Sequence, residues 1–135
     1  MVSNGYAEVD HTADLAINVW GEDFLSILIH SAQGMYALIG VRCDMDSPTT
    51  ITFSIEDADQ ETILVDFLSE LLYLCEDRRL AFDIFTFNFQ IGRIIVSASG
   101  HNVIAVHRDI KAVTFNDLVI NRTDSGLETM ITFDV

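Results

Sequence analysis

Five consecutive residues, Asp10-His11-Thr12-Ala13-Asp14, put an imidazole, a hydroxyl and two carboxylates into one short segment. Directly behind them Leu15-Ala16-Ile17-Asn18-Val19-Trp20-Gly21 alternates with a period of two, as a strand does. Ionisable groups at the mouth of a core strand cost desolvation unless they find partners. Two arrangements supply partners. In one, Asp10 and Asp14 contribute to a hard-cation site, because carboxylate oxygens suit Ca²⁺ or Mg²⁺ and such ions collect oxygens from several segments. In the other, Asp10 or Thr12 closes a turn through its side chain and His11 is a paired interior histidine. Residue types alone leave both open. The sequence ends on Thr132-Phe133-Asp134-Val135, a second strand finishing in a carboxylate. Asp14 and Asp134 thus both stand at predicted strand termini, and Val135 is expected to add a backbone carbonyl and a terminal carboxylate beside Asp134.

Lys111, in Asp109-Ile110-Lys111-Ala112-Val113-Thr114-Phe115, precedes an apolar strand in a chain with few cations. It suits a phosphate or an acidic group as a compact point charge, or it is simply solvated. Other chemistries lack their signatures. No serine stands in a nucleophile elbow, and neither GxGxxG nor GxxxxGK[ST] occurs. His30, His101 and His107 share no ligand spacing. A metal-dependent hydrolase built on Asp10, His11 and Asp14 lacks an evident activated nucleophile.

The 135 residues carry 21 acidic and 7 basic side chains, a formal charge of −14. That charge repels a phosphate backbone, and no basic stripe offsets it. Any service to RNA is therefore expected to pass through another protein. Half the residues are hydrophobic, and Pro48 is the lone proline. The expectation is one domain spanning residues 1–135. Cys43 and Cys75 have no CxxC spacing, and reduced thiols and a cytoplasmic location are expected. No signal peptide or membrane-spanning run is evident, so no membrane partner is expected.

The elements that must position these residues read as follows. Tyr6 to Val9 and Leu15 to Val19 are strands. Glu22-Asp23 opens a helix whose apolar positions Phe24, Leu28, Ala32, Met35 and Ile39 recur every three or four residues. Gly40 stops it. Val41 to Pro48 reads as a turn-rich connection and Thr49 to Ile55 as a strand. Asp57 or Asp59 caps a second helix with Leu64, Phe67, Leu68, Leu71, Leu74 and Cys75 on its apolar face. Phe82 to Gln90 and Ile94 to Ala98 form a hairpin across Ile91-Gly92-Arg93. Gly100 to Asp109 is a loop or a short strand. Val113 to Phe115 and Asp117 to Ile120 read as strand, Thr123 to Gly126 as a turn, and Leu127 to Val135 as a last strand. The pattern is α+β, two helices on a mixed or antiparallel sheet, with a hint of a duplicated strand-helix-strand unit.

Four segments, taken together, resemble the archease family. Asp10-His11-Thr12-Ala13-Asp14-Leu15-Ala16-Ile17 with Trp20-Gly21 is similar to the family's opening signature, and Leu64 to Leu74 to its second helix. Ile110-Lys111-Ala112-Val113-Thr114 is similar to its lysine motif and Phe133-Asp134-Val135 to its terminal strand. The likeness runs from Tyr6 to Val135. It implies a non-catalytic activator of the RtcB-type tRNA-splicing ligase. That enzyme uses GTP and a metal to join RNA ends bearing a 2′,3′-cyclic or 3′-phosphate to a 5′-hydroxyl, in tRNA splicing and RNA repair. The activator promotes guanylylation of the ligase histidine and multiple turnover. By the same resemblance, Asp14 and Asp134 bind a divalent cation, calcium before magnesium, with the Val135 main-chain oxygen assisting. His11 shapes that site, Asp10 and Thr12 support it, and Lys111 serves ligase activation. The resemblance also implies an alternative, a chaperone-like modulator of a tRNA methyltransferase. This chain departs from the family pattern at Leu15-Ala16, at Asp109 and at Phe115-Asn116, and keeps Asp14, Lys111 and Asp134.

Overall fold

A computed structural model describes residues 5–9, 15–115 and 117–135. The Asp10–Asp14 segment singled out above, and Asn116, therefore lie outside the described residues.

The described residues build two antiparallel sheets and two helices. The first sheet has the order β1 (Tyr6–Val9), β2 (Leu15–Gly21), β8 (Gly126–Asp134), β6 (Ala112–Val113), and β7 (Asn121–Thr123) also pairs with β8. The second sheet runs β3 (Arg42–Glu56), β5 (Arg93–Ala105), β4 (Leu80–Gln90). Helices α1 (Phe24–Ile39) and α2 (Gln60–Arg78) touch each other, and each touches strands of both sheets.

Local chemistry explains the helix ends. Asp23 accepts the Ser26 N–H at 2.9 Å, which satisfies one of the donors a helix start leaves free. That bond holds the Asp23 carboxyl below the usual carboxylate range. Gly40 ends α1 in the left-handed region, its N–H donating to the Tyr36 carbonyl at 2.9 Å. Asp59 occupies the N-cap of α2 without a side-chain bond, and Arg79 closes it at φ 56°.

Both helices bury the faces their periodicity predicts. Leu28, Ala32, Met35 and Ile39 of α1 are buried, as are Leu64, Phe67, Leu68, Leu71, Leu74 and Cys75 of α2. They join Ile17, Val19, Ile131 and Phe133 of the first sheet and Ile94, Val96 and Ala98 of the second in one core cluster. The Phe67 ring sits at its centre, 5.4 Å from the Phe85 centroid, 5.7 Å from Phe87 and 6.4 Å from Phe53. Cys43 and Cys75 are free thiols, and burial pushes both above the usual range.

Several boundaries differ from the expectation. Val41–Pro48 is not a connection, because β3 already starts at Arg42. Its turn-forming residues make a local irregularity inside the strand. Asp44 accepts the Asp46 N–H on its carboxylate at 3.0 Å and the Ser47 hydroxyl on its carbonyl at 2.7 Å. The register with β5 slips between Asp44 and Pro48. Gly100–Asp109 resolves as strand through Ala105, followed by a loop. The strand expected at Val113–Phe115 pairs only as Ala112–Val113, one further bond linking the Thr114 N–H to the Thr132 carbonyl at 2.9 Å. Asp117–Ile120 is not a strand. Asp117 takes φ 59°, which an extended strand cannot accommodate, and Leu118 turns inward and is buried. The turn expected over Thr123–Gly126 narrows to Asp124-Ser125, between β7 and β8.

Candidate functional site

Of the candidate residues, the described ones, Lys111, Asp134 and Val135, lie at one end of the first sheet. β2 and β8 run antiparallel with Leu15 opposite Phe133. Leu15 directly follows Asp14 in the sequence, and Phe133 directly precedes Asp134. β1 reaches the same end, with Val9 opposite Ala16. Both flanks of residues 10–14 are thereby fixed at the end of the sheet where Asp134 lies. Asp10, His11, Thr12 and Asp14 themselves lie outside the described residues.

On the other edge of β8, β6 pairs Ala112 with Asp134 and Val113 with Phe133. The Lys111 N–H donates to the Asp134 carbonyl at 2.8 Å. The lysine segment and the terminal strand, separate in sequence, are thus hydrogen-bonded neighbours. The alternation of β8 decides what each residue presents. Ile131 and Phe133 are fully buried and anchor the strand, whereas Asp134 and Val135 are exposed at its end. Lys111 is exposed too, while Ile110 and Val113 on either side of it are buried and pin its backbone. The result is an end of sheet that carries an exposed carboxylate and an exposed ammonium on adjacent segments.

The donor set can be tested against a cation. Asp134 and Val135 offer only oxygens, which suits a hard divalent ion. Among the described residues no group of three or more His, Cys, Asp or Glu side chains is placed to hold a metal. Among the described residues, Asp134 and Val135 alone do not make up a cation's donor set.

Two residues next to this end had no signal in the sequence. Arg108 Nη1 lies 3.9 Å from Glu8 Oε2, tying the loop after β5 to β1. Both side chains are substantially exposed, so the pair adds little stability. The backbone N–H groups of His107 and Arg108 both donate to the Ile39 carbonyl at 3.0 Å, which moors this loop to the end of α1. Of the histidines that lacked ligand spacing, His30 bonds the Trp20 carbonyl through Nδ1 at 2.7 Å. That contact gives it a structural role.

Comparison with known proteins decides the family. The profile of the Archease protein family (MTH1598/TM1083) matches residues 6–135. The chain belongs to the archease family. Its relatives include the archease of Methanosarcina barkeri, 28% identical over 143 residues, covering 96% of this chain and 95% of that one. The Aeropyrum pernix archease is 24% identical and covered end to end in both chains. Among solved structures, the solution structure of Methanobacterium thermoautotrophicum protein 1598 superposes with a TM-score of 0.73 at 19% identity. It covers 98% of this chain and 100% of that one. The crystal structure of a Thermotoga maritima archease, described as a possible chaperone, gives 0.69 at 20% identity over 94% of each chain. These two show that the α+β arrangement of two helices on antiparallel sheets is the archease fold. Among the described residues no helix is long and apolar enough to cross a membrane.

Proposed function

We propose that this archease is a non-catalytic activator of a GTP-dependent RtcB-type RNA ligase in tRNA splicing and RNA repair. It promotes guanylylation of the ligase and its multiple turnover, through a cation-bearing end of the first sheet. The observation that carries this reading is the 2.8 Å bond from the Lys111 N–H to the Asp134 carbonyl. It joins the family's lysine motif to its terminal-strand motif at one point. The β2–β8 register supports the inclusion of Asp14. Paired Cα atoms are about 5 Å apart and each chain step is about 3.8 Å. Leu15, which follows Asp14 in the sequence, and Phe133, which precedes Asp134, are such a pair.

In this reading Asp14, Asp134 and the Val135 main-chain oxygen hold the ion, calcium before magnesium. His11 shapes the site, with Asp10 and Thr12 behind it, and Lys111 meets the ligase. The ion supplies fixed positive charge at the tip of an acidic molecule. The remaining surface of a chain with net charge −14 complements the basic channel an RNA ligase needs. RNA is then contacted only through the ligase, in the cytoplasm. A chaperone-like action on a tRNA methyltransferase is the second reading, favoured by the description of the Thermotoga maritima structure.

The test is guanylylation and ligation by the ligase of the same source, under single and multiple turnover, with this chain, Lys111→Ala or Asp14→Ala. Stimulation by the native chain and its loss in both variants supports the activator. Full stimulation by either variant overturns the assigned role of that residue. No stimulation by the native chain, together with rescue of methyltransferase solubility, favours the second reading.

A further inference from the structure

In the second sheet β5 is flanked on both sides by strand irregularities at one level. Against β3 the register passes from Asp44–Asn102 directly to Pro48–His101, so Met45, Asp46 and Ser47 are unpaired. Against β4 it passes from Phe82–Gly100 to Ile84–Ser99, which leaves Asp83 as the extra residue of a bulge. Bulges re-aim side chains and are frequent beside functional sites. Between these two irregular strand segments and α1 lies a cleft of about 260 Å³. The excursion in β3 is pinned rather than loose. The Asp46 N–H donates to the Asp44 carboxylate at 3.0 Å. The Ser47 hydroxyl donates to the Asp44 carbonyl at 2.7 Å and accepts the Asn102 N–H at 3.2 Å.

The cleft is predominantly apolar, with Val41, Met45 and Phe82 among its walls. Met45 is 67% exposed and offers an adaptable thioether. Two polar groups stand out. Tyr36 lines the inner side, and its hydroxyl is buried beside the Phe82 backbone without a well-formed hydrogen bond among the described residues. Polar groups left in that condition are rare in folded chains. Asp83 is exposed and has no ion pair among the described residues, and no lysine or arginine lines the cleft beside it. An apolar concavity with a few placed polar groups is how small-molecule sites are built. The volume falls just under the usual range of about 300–1,000 Å³, which limits an occupant to about one ring and a short chain.

We propose that this cleft binds a small arylalkylamine, its ring against Val41, Met45 and Phe82 and its ammonium at the Asp83 carboxylate. The walls select the ring, since an aromatic face packs well on a phenylalanine and on a thioether sulfur. Charge selects the amine. The bulge sets a carboxylate at the cleft with no lysine or arginine to neutralise it, and a chain of net charge −14 attracts cations and repels acids. None of these residues belongs to the sheet end that carries Lys111 and Asp134, so the two assignments stand or fall separately.

The test titrates the full chain with three probes that share a ring and differ at the end group: 2-phenylethylamine, 2-phenylethanol and 3-phenylpropionate. Two-dimensional NMR reads the amides of residues 41–45, 81–83 and 101. The amine should shift them saturably and bind at least about threefold more tightly than the alcohol, and the acid should not saturate. Asp83→Asn should bring the amine to the level of the alcohol and leave the alcohol unchanged. Glu56→Gln removes the same charge from an exposed β3 position that is not part of the cleft, and should leave the amine's affinity unchanged. Gln33→Trp, at an exposed cleft position on α1, should weaken both probes at least about fivefold by taking up the space. Circular dichroism checks that each variant keeps the fold. Absence of saturable shifts at these amides overturns the proposal, as does binding indifferent to Gln33→Trp. Equal affinity of amine and alcohol for the native chain, or equal losses in Asp83→Asn and Glu56→Gln, overturns the role of Asp83.

Discussion

Phe133 and Asp134 are adjacent residues on opposite faces of β8, and their replacement by alanine should separate folding from function. Phe133 is fully buried between the sheet and the helices. Its truncation leaves a cavity in a packed core and should cost about 3–5 kcal/mol. For a chain of this size 1 kcal/mol corresponds to roughly 3–5 °C, so the melting temperature should fall by about 10–20 °C. Asp134 is exposed, and its structural bonds are made by its backbone. The 2.8 Å bond from the Lys111 N–H and the pairing with Ala112 both survive loss of the carboxylate. Asp134→Ala should therefore move stability by no more than about 0.5 kcal/mol. On the proposed reading, its effect should appear on cation binding. Calcium at one hundred times its dissociation constant stabilises the native state by about 2.7 kcal/mol, and a tenfold loss of affinity cuts that to about 1.4. Thermal melts with and without calcium, beside the guanylylation assay, read both quantities. The reasoning fails if Asp134→Ala keeps the full calcium shift and full stimulation. It also fails if that variant loses as much stability as Phe133→Ala.

Further outcomes follow from the packing. Phe67→Ala removes a fully buried ring contacted by three other phenylalanines and should lower the urea-unfolding free energy by about 3–5 kcal/mol; a change under about 1 kcal/mol would contradict the described core. Gly100→Ala puts a methyl into the Ala81 carbonyl oxygen and against the Phe82 Cα. Both are backbone atoms that cannot swing aside, so β4 must separate from β5, and a loss of at least about 2 kcal/mol is expected in the same assay. Among the described residues the buried Tyr36 hydroxyl has no well-formed hydrogen bond, and burial, only partly offset by the nearby Phe82 backbone, pushes it above the ordinary tyrosine range. The native state therefore keeps its proton where the unfolded chain loses it. This stability is fully present below about pH 10 and declines as the pH rises further, by at most about 1.4 kcal/mol per pH unit. Tyr36→Phe should flatten that alkaline decline in pH-dependent melts and be neutral or stabilising at pH 7. An unchanged alkaline limb would remove Tyr36 as its source.

What the sequence made legible was the part written in local periodicity. The helices announce themselves through apolar residues three and four apart, through Asp23 at one start and through Gly40 at one stop. The β4–β5 hairpin shows in alternating aromatics around Gly92. The beginning of β3 was hidden because Asp44, Asp46, Ser47 and Pro48 are turn residues, and they do form a turn, but one embedded in a strand. β7 was hidden because Asn121, Arg122 and Thr123 are all exposed and polar. It is held by β8 rather than by burial. The apposition at the candidate site lies beyond any local pattern. Leu15 and Phe133 meet through a pairing that spans most of the chain, and periodicity carries no information about which distant strand is chosen. Resemblance to a family supplied that link, and the register of β2, β8 and β6 sets Leu15, Phe133 and Lys111 at one end of the sheet.

β8 is the hub of the first sheet: β2 lies on one side, and β6 and β7 share the other. Everything preceding it can acquire helical structure, and β3, β5 and β4 can zip together, while the ribosome is still working. The first sheet cannot, because its middle is missing until synthesis has passed Asp134. β1 and β2 must wait as a bare hairpin, too small to be stable alone, through the making of more than a hundred residues. Closing so distant a contact is slow. The end of the sheet that carries the candidate site is thus completed only when β8 pairs with β2, after both helices and the second sheet have been synthesised.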